Sequence, residues 1–233
     1  MRATKQRNLA RNRRIAGFTL IELLVVISII SLLVSLLLPS LSAARDETRR
    51  TVCLAMLRSV GTANEMYAGE FPDWYIPQRH YKADGVTTIN WYQNSMCRRL
   101  LGVADRTGVY DNRWPVDFVC PAAEKAVSAA TPEGARVADV CGMNFTGMVY
   151  RGPNNCLRGL RANEMSNPGG KLGWTDATDW QVTMIPSVPS HLVDFRHKGR
   201  LNVVFYDCHT EVKSPQQLDQ GGTTQRALWD VKY

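Results

Sequence analysis

An α+β chain built on one long N-terminal helix is the fold class that three observations predict. Residues 18–38 form an apolar run with a single charge, Glu22. A stripe of helical period then carries on to Tyr67. Beyond it, short apolar runs alternate with proline and glycine, the pattern of an antiparallel sheet packed on a helix.

The chain has 233 residues, enough for one anchored domain or at most two small ones. Its net charge of +7 would suggest nucleic acid or anionic lipid, but the location of that charge argues otherwise. Arg2, Lys5, Arg7, Arg11, Arg13 and Arg14 put +6 of it into residues 1–17, which hold no acid. The other 22 basic and 21 acidic residues nearly cancel. A nucleic-acid binder needs a basic stripe on its folded domain, and residues 18–233 offer none.

About 20 apolar residues span a bilayer, so residues 18–38 are long enough. A carboxylate near the start of such a segment is costly and calls for a partner. A secretory signal cut after Ala44, at Ser42-Ala43-Ala44, is one reading of this region, although such signals have apolar cores of only about 7–15 residues. An uncut anchor, its basic end held in the cytoplasm by the positive-inside rule, fits the length. It gives no reason for Glu22 or for Gly17-Phe18.

A third reading rests on resemblance. Gly17-Phe18-Thr19-Leu20-Ile21-Glu22-Leu23-Leu24-Val25-Val26-Ile27 resembles the processing and methylation motif of type IV pilins and type II secretion pseudopilins. The resemblance implies cleavage after Gly17 by a membrane-embedded prepilin peptidase and N-methylation of the new terminus, Phe18. It implies that Glu22 pairs with the Phe18 amine of a neighbouring subunit, the opposite charge that makes an intramembrane carboxylate tolerable. The implied fold is pilin-like: a long helix, transmembrane below and amphipathic above, packed on an antiparallel sheet. Residues 1–17 are then a cleaved basic leader, and 18–69 the helix, with its transmembrane segment at 18–38. Residues 70–233 are an extracytoplasmic domain that includes a C-terminal motif at 193–212.

Leu41, Ala44, Thr48, Val52, Met56, Val60, Ala63 and Tyr67 recur at steps of three or four, as on one helix face. Pro39 removes a backbone hydrogen bond and is expected to kink or locally melt the helix. Gly69 and Pro72 supply stop signals. The stretch Thr51–Ala68 also resembles a widespread pseudopilin subfamily at Cys53-Leu54, Leu57-Arg58, Gly61 and Tyr67-Ala68. Cys120-Pro121 matches that subfamily's Cys-Pro element.

In the body the expected strands are 89–92, 118–120, 143–150 in two pieces, 171–175, 191–195, 201–206 and 210–212. The stretches 72–88, 151–170 and 176–190 read as long loops. The six tryptophans read as core and rim packing. Lys198-Gly199-Arg200 suits a three-residue hairpin turn. That turn would set His197 against Leu201, Phe195 against Val203 and His191 against Asp207. Alternation then puts Val203, Phe205, Asp207 and His209 on one face. The segment resembles a C-terminal domain of the same subfamily, in which a histidine is followed after nine residues by Asp-Gly. His197 and Asp207 keep that spacing, and Asn202, Phe205 and His209 also fit. Cys208 stands where glycine is expected, so a positive φ there would strain it, unless the turn has changed and Cys208 joins a disulfide.

His191, Asp194, His197, Asp207 and His209 invite a metal or catalytic reading. The resemblance allows calcium, but calcium takes six to eight oxygens and no such cluster is evident. No cofactor is therefore expected, and a hydrogen-bonded His–Asp pair fixing the hairpin is the simpler reading. Cys53, Cys97, Cys120, Cys141, Cys156 and Cys208 form no CxxC pair, which makes zinc the weaker reading. As disulfides they allow 15 pairings. No nucleophile elbow, P-loop or dinucleotide fingerprint occurs.

The expectation is a non-enzymatic structural subunit of a type II secretion pseudopilus or type IV pilus-like filament. It would sit in a bacterial inner membrane as a single-pass protein, leader inside and body outside. Its partners would be like and unlike pilin-type subunits, the prepilin peptidase and N-methyltransferase, and an assembly platform. The rival is a membrane-anchored extracytoplasmic binding module or metal-dependent hydrolase using His191, Asp207 and His209.

Overall fold

A computed structural model describes residues 18–72, 74–82, 84–104, 112–132, 134–151, 157–183, 192–218 and 228–230. The leader with Gly17, Cys156 and His191 lie outside the described residues. Internal contacts divide the chain into two compact units, Met1–Arg45 and Asp46–Tyr233. Helix α1 (Leu20–Glu70) contributes to both.

In the first unit α1 stays helical through Pro39, so the expected local melting does not occur. The apolar side chains from Leu20 to Leu38 are exposed. Three of its hydroxyls, those of Ser28, Ser35 and Ser40, donate within the helix to the carbonyls of Leu24, Leu32 and Leu37 at 2.7, 2.7 and 2.8 Å. Such internal pairing is what a lipid environment demands of polar groups. The helix is long and apolar enough to cross a membrane.

In the second unit α1 buries Cys53, Met56, Leu57, Val60, Gly61, Ala63, Asn64 and Tyr67. The expected stripe is correct from Met56 onward but displaced below it. Thr48 and Val52 are exposed, and Cys53 takes the inward position because it forms a disulfide with Cys120. Gly61 sits where helix and sheet approach closely, since a Cβ there would lie 2.7 Å from Val204 Cγ2.

The strands are β1 (Arg79–Tyr81), β2 (Thr88–Asn90), β3 (Arg113–Trp114), β4 (Ala135–Arg136), β5 (Cys141–Asn144), β6 (Val149–Arg151), β7 (Leu157–Gly159), β8 (Leu172–Asp176), β9 (Gln181–Val182), β10 (Leu201–Phe205) and β11 (Thr210–Lys213). They form a five-stranded sheet in the order β11-β10-β8-β5-β9, a four-stranded sheet β2-β1-β7-β6 and a β3-β4 pair. All the pairings are antiparallel except β5 with β9.

β8 and β10 are buried at every position. Alternation along them serves two cores. Trp174 and Val204 join the core of α1, while Leu172, Leu201, Val203 and Phe205 join a second one with Val193, Leu218 and Trp229. Trp91 anchors the first core, edge-on to Trp114 at 5.4 Å and to Trp174 at 6.0 Å between centroids.

Several expectations need correction. Residues 118–120 are not a strand; a 3-10 turn, Val116–Phe118, leads into Cys120. The run 89–92 leaves the sheet after Asn90 for another 3-10 turn. The supposed loops 72–88, 151–170 and 176–190 carry β1, β7 and β9. Residues 192–195 do not pair with β10, because β8 and β11 already occupy both its edges. Val193 bridges Ala177 instead.

Candidate functional site

The start of α1 is a reciprocal cap. The Thr19 N–H donates to Glu22 Oε2 at 2.9 Å and the Thr19 hydroxyl donates to the same oxygen at 2.8 Å. The Glu22 N–H donates back to Thr19 Oγ1 at 3.2 Å. This is a capping box, which satisfies backbone donors that the first turn of a helix otherwise leaves open. The Thr-x-x-Glu pattern stands plainly in the sequence, and treating Glu22 only as a charge in need of a partner misses it. The cap fixes the carboxylate at the N-terminal end of the helix, beside a Phe18 that is 72% exposed.

At the other end of the chain the motif residues separate. His197 is buried, and its Nε2 lies 3.3 Å from Asp176 Oδ2 at the end of β8. The same carboxylate oxygen accepts from the Asn202 N–H at 2.7 Å. The same imidazole nitrogen is 3.7 Å from Cys120 Sγ, on the disulfide that joins α1 to the body. The acid partner of His197 is therefore Asp176, not Asp207.

Asp207 lies past the far end of β10, whose five residues rise about 3.3 Å each. The nine-residue spacing thus measures one strand and its flanking turns. It marks two ends, not one pair. Asp207 Oδ1 accepts from the His209 N–H at 3.1 Å and from its Nδ1 at 2.5 Å. The His209 ring stacks on Phe205 at 4.1 Å. Those two meet across the β10–β11 turn, where the Phe205 N–H donates to the His209 carbonyl at 3.0 Å. In that turn Cys208 adopts φ 69°, the left-handed conformation that a glycine would take without strain. No disulfide forms there: Cys97, Cys141 and Cys208 are free thiols. Burial pushes the Cys97 thiol up to about 12 and raises that of Cys141 as well, so both behave as inert core residues.

The turn before β10 also differs from expectation. His197 and Arg200 exchange backbone hydrogen bonds of 3.0 and 3.1 Å, so only Lys198 and Gly199 form the loop, and both have positive φ. That is the geometry of a two-residue turn. It sets His197 against Arg200 rather than Leu201. Of the cluster that suggested a hydrolase, His191 is outside the described residues, while Asp207 and His209 stand at the opposite end of β10 from His197.

A capped, exposed helix, long and apolar enough to cross a membrane, thus carries a glutamate in its first turn. Residues 12–38 match the prokaryotic N-terminal methylation motif. The chain is similar to the type IV wide pilus major component PilA4 of Thermus thermophilus, with 49% identity over 55 residues. That similarity covers 24% of this chain and 42% of the relative, so the chain spans about two fifths of the protein it matches. No solved structure matches it.

Proposed function

We propose that this protein is a structural subunit of a pilus-like filament, either a type II secretion pseudopilus or a type IV pilus-like fibre. The observation that carries the reading is the first turn of α1, a fixed Glu22 carboxylate beside Phe18 at the head of an exposed apolar helix. The uncut chain crosses the inner membrane once, held leader-inside by its six basic residues. A prepilin peptidase cuts after Gly17, and the Phe18 amine is methylated. Glu22 then receives the amine of an adjoining subunit, and the Leu20–Leu38 faces of successive copies bury one another. Other pilin-type subunits and an assembly platform complete the set of partners. The role is structural, not catalytic, and needs no resident cofactor; calcium is not required by it.

Glu22→Ala tests this assignment. The variant should be processed as the wild type is, yet be lost from sheared filaments or pseudopili, as read by immunoblot of membrane and filament fractions. Normal incorporation would refute the charge-pairing role. The cap adds a control: Thr19→Ala removes the Thr19 hydroxyl from Glu22 but keeps the carboxylate, so incorporation should fall less than in Glu22→Ala.

A further inference from the structure

We propose that Cys53, Cys120 and His197 form, in the dithiol state of the protein, a binding site for one borderline-soft divalent cation of the zinc class, and that the Cys53–Cys120 disulfide closes it. The ligand atoms lie close together: the two Sγ atoms, joined to each other in the disulfide, and a ring nitrogen of His197 lie within 4.8 Å of one another, and all three residues are buried. They come from three separate places in the second unit, namely α1, the Cys120-Pro121 turn and the turn before β10. Folding, not local sequence spacing, assembles them, which is why the absence of a CxxC pair concealed the set.

One edge already matches a tetrahedral ion, whereas the two sulfurs, bonded to each other in the disulfide, must part to about 3.8 Å on reduction. Bond lengths of about 2.3 Å to thiolate and about 2.0 Å to imidazole set a sulfur–nitrogen edge of about 3.5 Å. His197 Nε2 stands 3.7 Å from Cys120 Sγ. Thiolate and imidazole are the donors that zinc-class ions prefer. A carboxylate adjoins them: Asp176 Oδ2 is 3.3 Å from the same nitrogen, and Asp176 Oδ1 is buried with no hydrogen-bond partner among the described residues. An ion with three protein ligands keeps a fourth position, and this fully buried carboxylate adjoins the ligand set.

The chemistry balances in two steps. A phosphine reductant and water give up two electrons and two protons to the disulfide, yielding two thiols and the phosphine oxide. Binding of the dication then expels both thiol protons, so ion and thiolates together are neutral. Disulfide and ion are mutually exclusive occupants of one place.

The test is cobalt titration of the full chain in detergent after phosphine reduction and anaerobic exchange. One equivalent should give a thiolate-to-cobalt charge-transfer band and tetrahedral visible bands, both abolished by one equivalent of zinc chloride. The oxidised protein should give neither. Cys53→Ser and Cys120→Ser should lose the band, and His197→Ala should weaken cobalt at least tenfold. Asp176→Asn should weaken it about 10–100-fold, as partners close to a metal ligand do. Cys97→Ala and Cys208→Ala should bind as the wild type does. Alkylation with mass mapping gives a second readout, in which zinc should protect Cys53 and Cys120 and leave Cys208 open. A reduced chain that takes up no cobalt, folded or not, overturns the proposal. So does binding that His197→Ala leaves unchanged, since that would be unspecific capture by thiols.

Discussion

Leu36 and Leu57 are the same residue in the same helix, six turns apart, yet one is 69% exposed and the other fully buried. The contrast runs along the whole of α1. From Leu20 to Leu38 every large apolar side chain is exposed, and the hydroxyls of Ser28 and Ser35 bond their own helix. From Cys53 to Tyr67 one face is buried against β10 and its neighbours, with Gly61 thinned to a hydrogen to allow the approach. Both halves are helical; the difference lies in what covers them. The upper half buries one face in the core of the body, whereas the lower half leaves a continuous apolar surface exposed.

Leucine truncation should separate the halves most strongly. Leu57→Ala removes buried atoms from the core of the body and should lower its unfolding free energy by about 2–5 kcal/mol. Leu36→Ala, measured by the same denaturant titration in detergent, should change it by less than about 0.5 kcal/mol. Equal effects would break the comparison.

A smaller effect is expected in the body alone, at the turn joining β10 to β11. Cys208→Gly should raise stability by about 1 kcal/mol, because the left-handed backbone costs a side-chain-bearing residue about 1–2 kcal/mol and glycine's added chain entropy offsets part of the gain. An unchanged or lower melting temperature would mean that the Cys208 side chain contributes packing worth as much as the strain.

The smallest effect is one of pH, and it too belongs to the body. Burial lowers the pKa of His80, on β1, from its ordinary 6.5, and its Nδ1 is buried with no hydrogen-bond partner among the described residues. The folded state therefore favours the neutral ring. Its contribution is present above about pH 6.5 and declines as the pH falls below that value, where the unfolded chain takes up the proton first. The melting temperature should fall between pH 7.5 and 5.5, and fall less in His80→Phe. Identical pH slopes would show that other groups govern the acid response.

What was legible in the sequence follows the same division. Local signals carried the first half well: the apolar run, the glycine–phenylalanine junction, the lone glutamate and the helix end near Glu70. Thr19-Leu20-Ile21-Glu22 was legible too, as a capping box. In the body, β10 is legible because four of its five residues are apolar, whereas β5, β8 and β11 are mixed in character and stand out by the turn residues around them. β1, β7 and β9 are two or three residues long and polar-rich, so only pairing reveals them. The partner of His197 was out of reach for a different reason. Asp176 comes from β8, and no spacing rule predicts which strand adjoins β10. The Cys53–Cys120 bond, 67 residues apart, is of the same kind. By contrast the strain at Cys208 was legible, since a residue standing in for glycine points to a positive φ.

The central claim is that residues 18–22 are the working head of an assembling helix, and the mature N-terminus tests it most directly. Purified from a cell with a prepilin peptidase, the protein should have an intact mass and N-terminal sequence that begin at methylated Phe18, followed by Thr19-Leu20-Ile21-Glu22. A retained leader, or a chain that begins after Ala44, would contradict it.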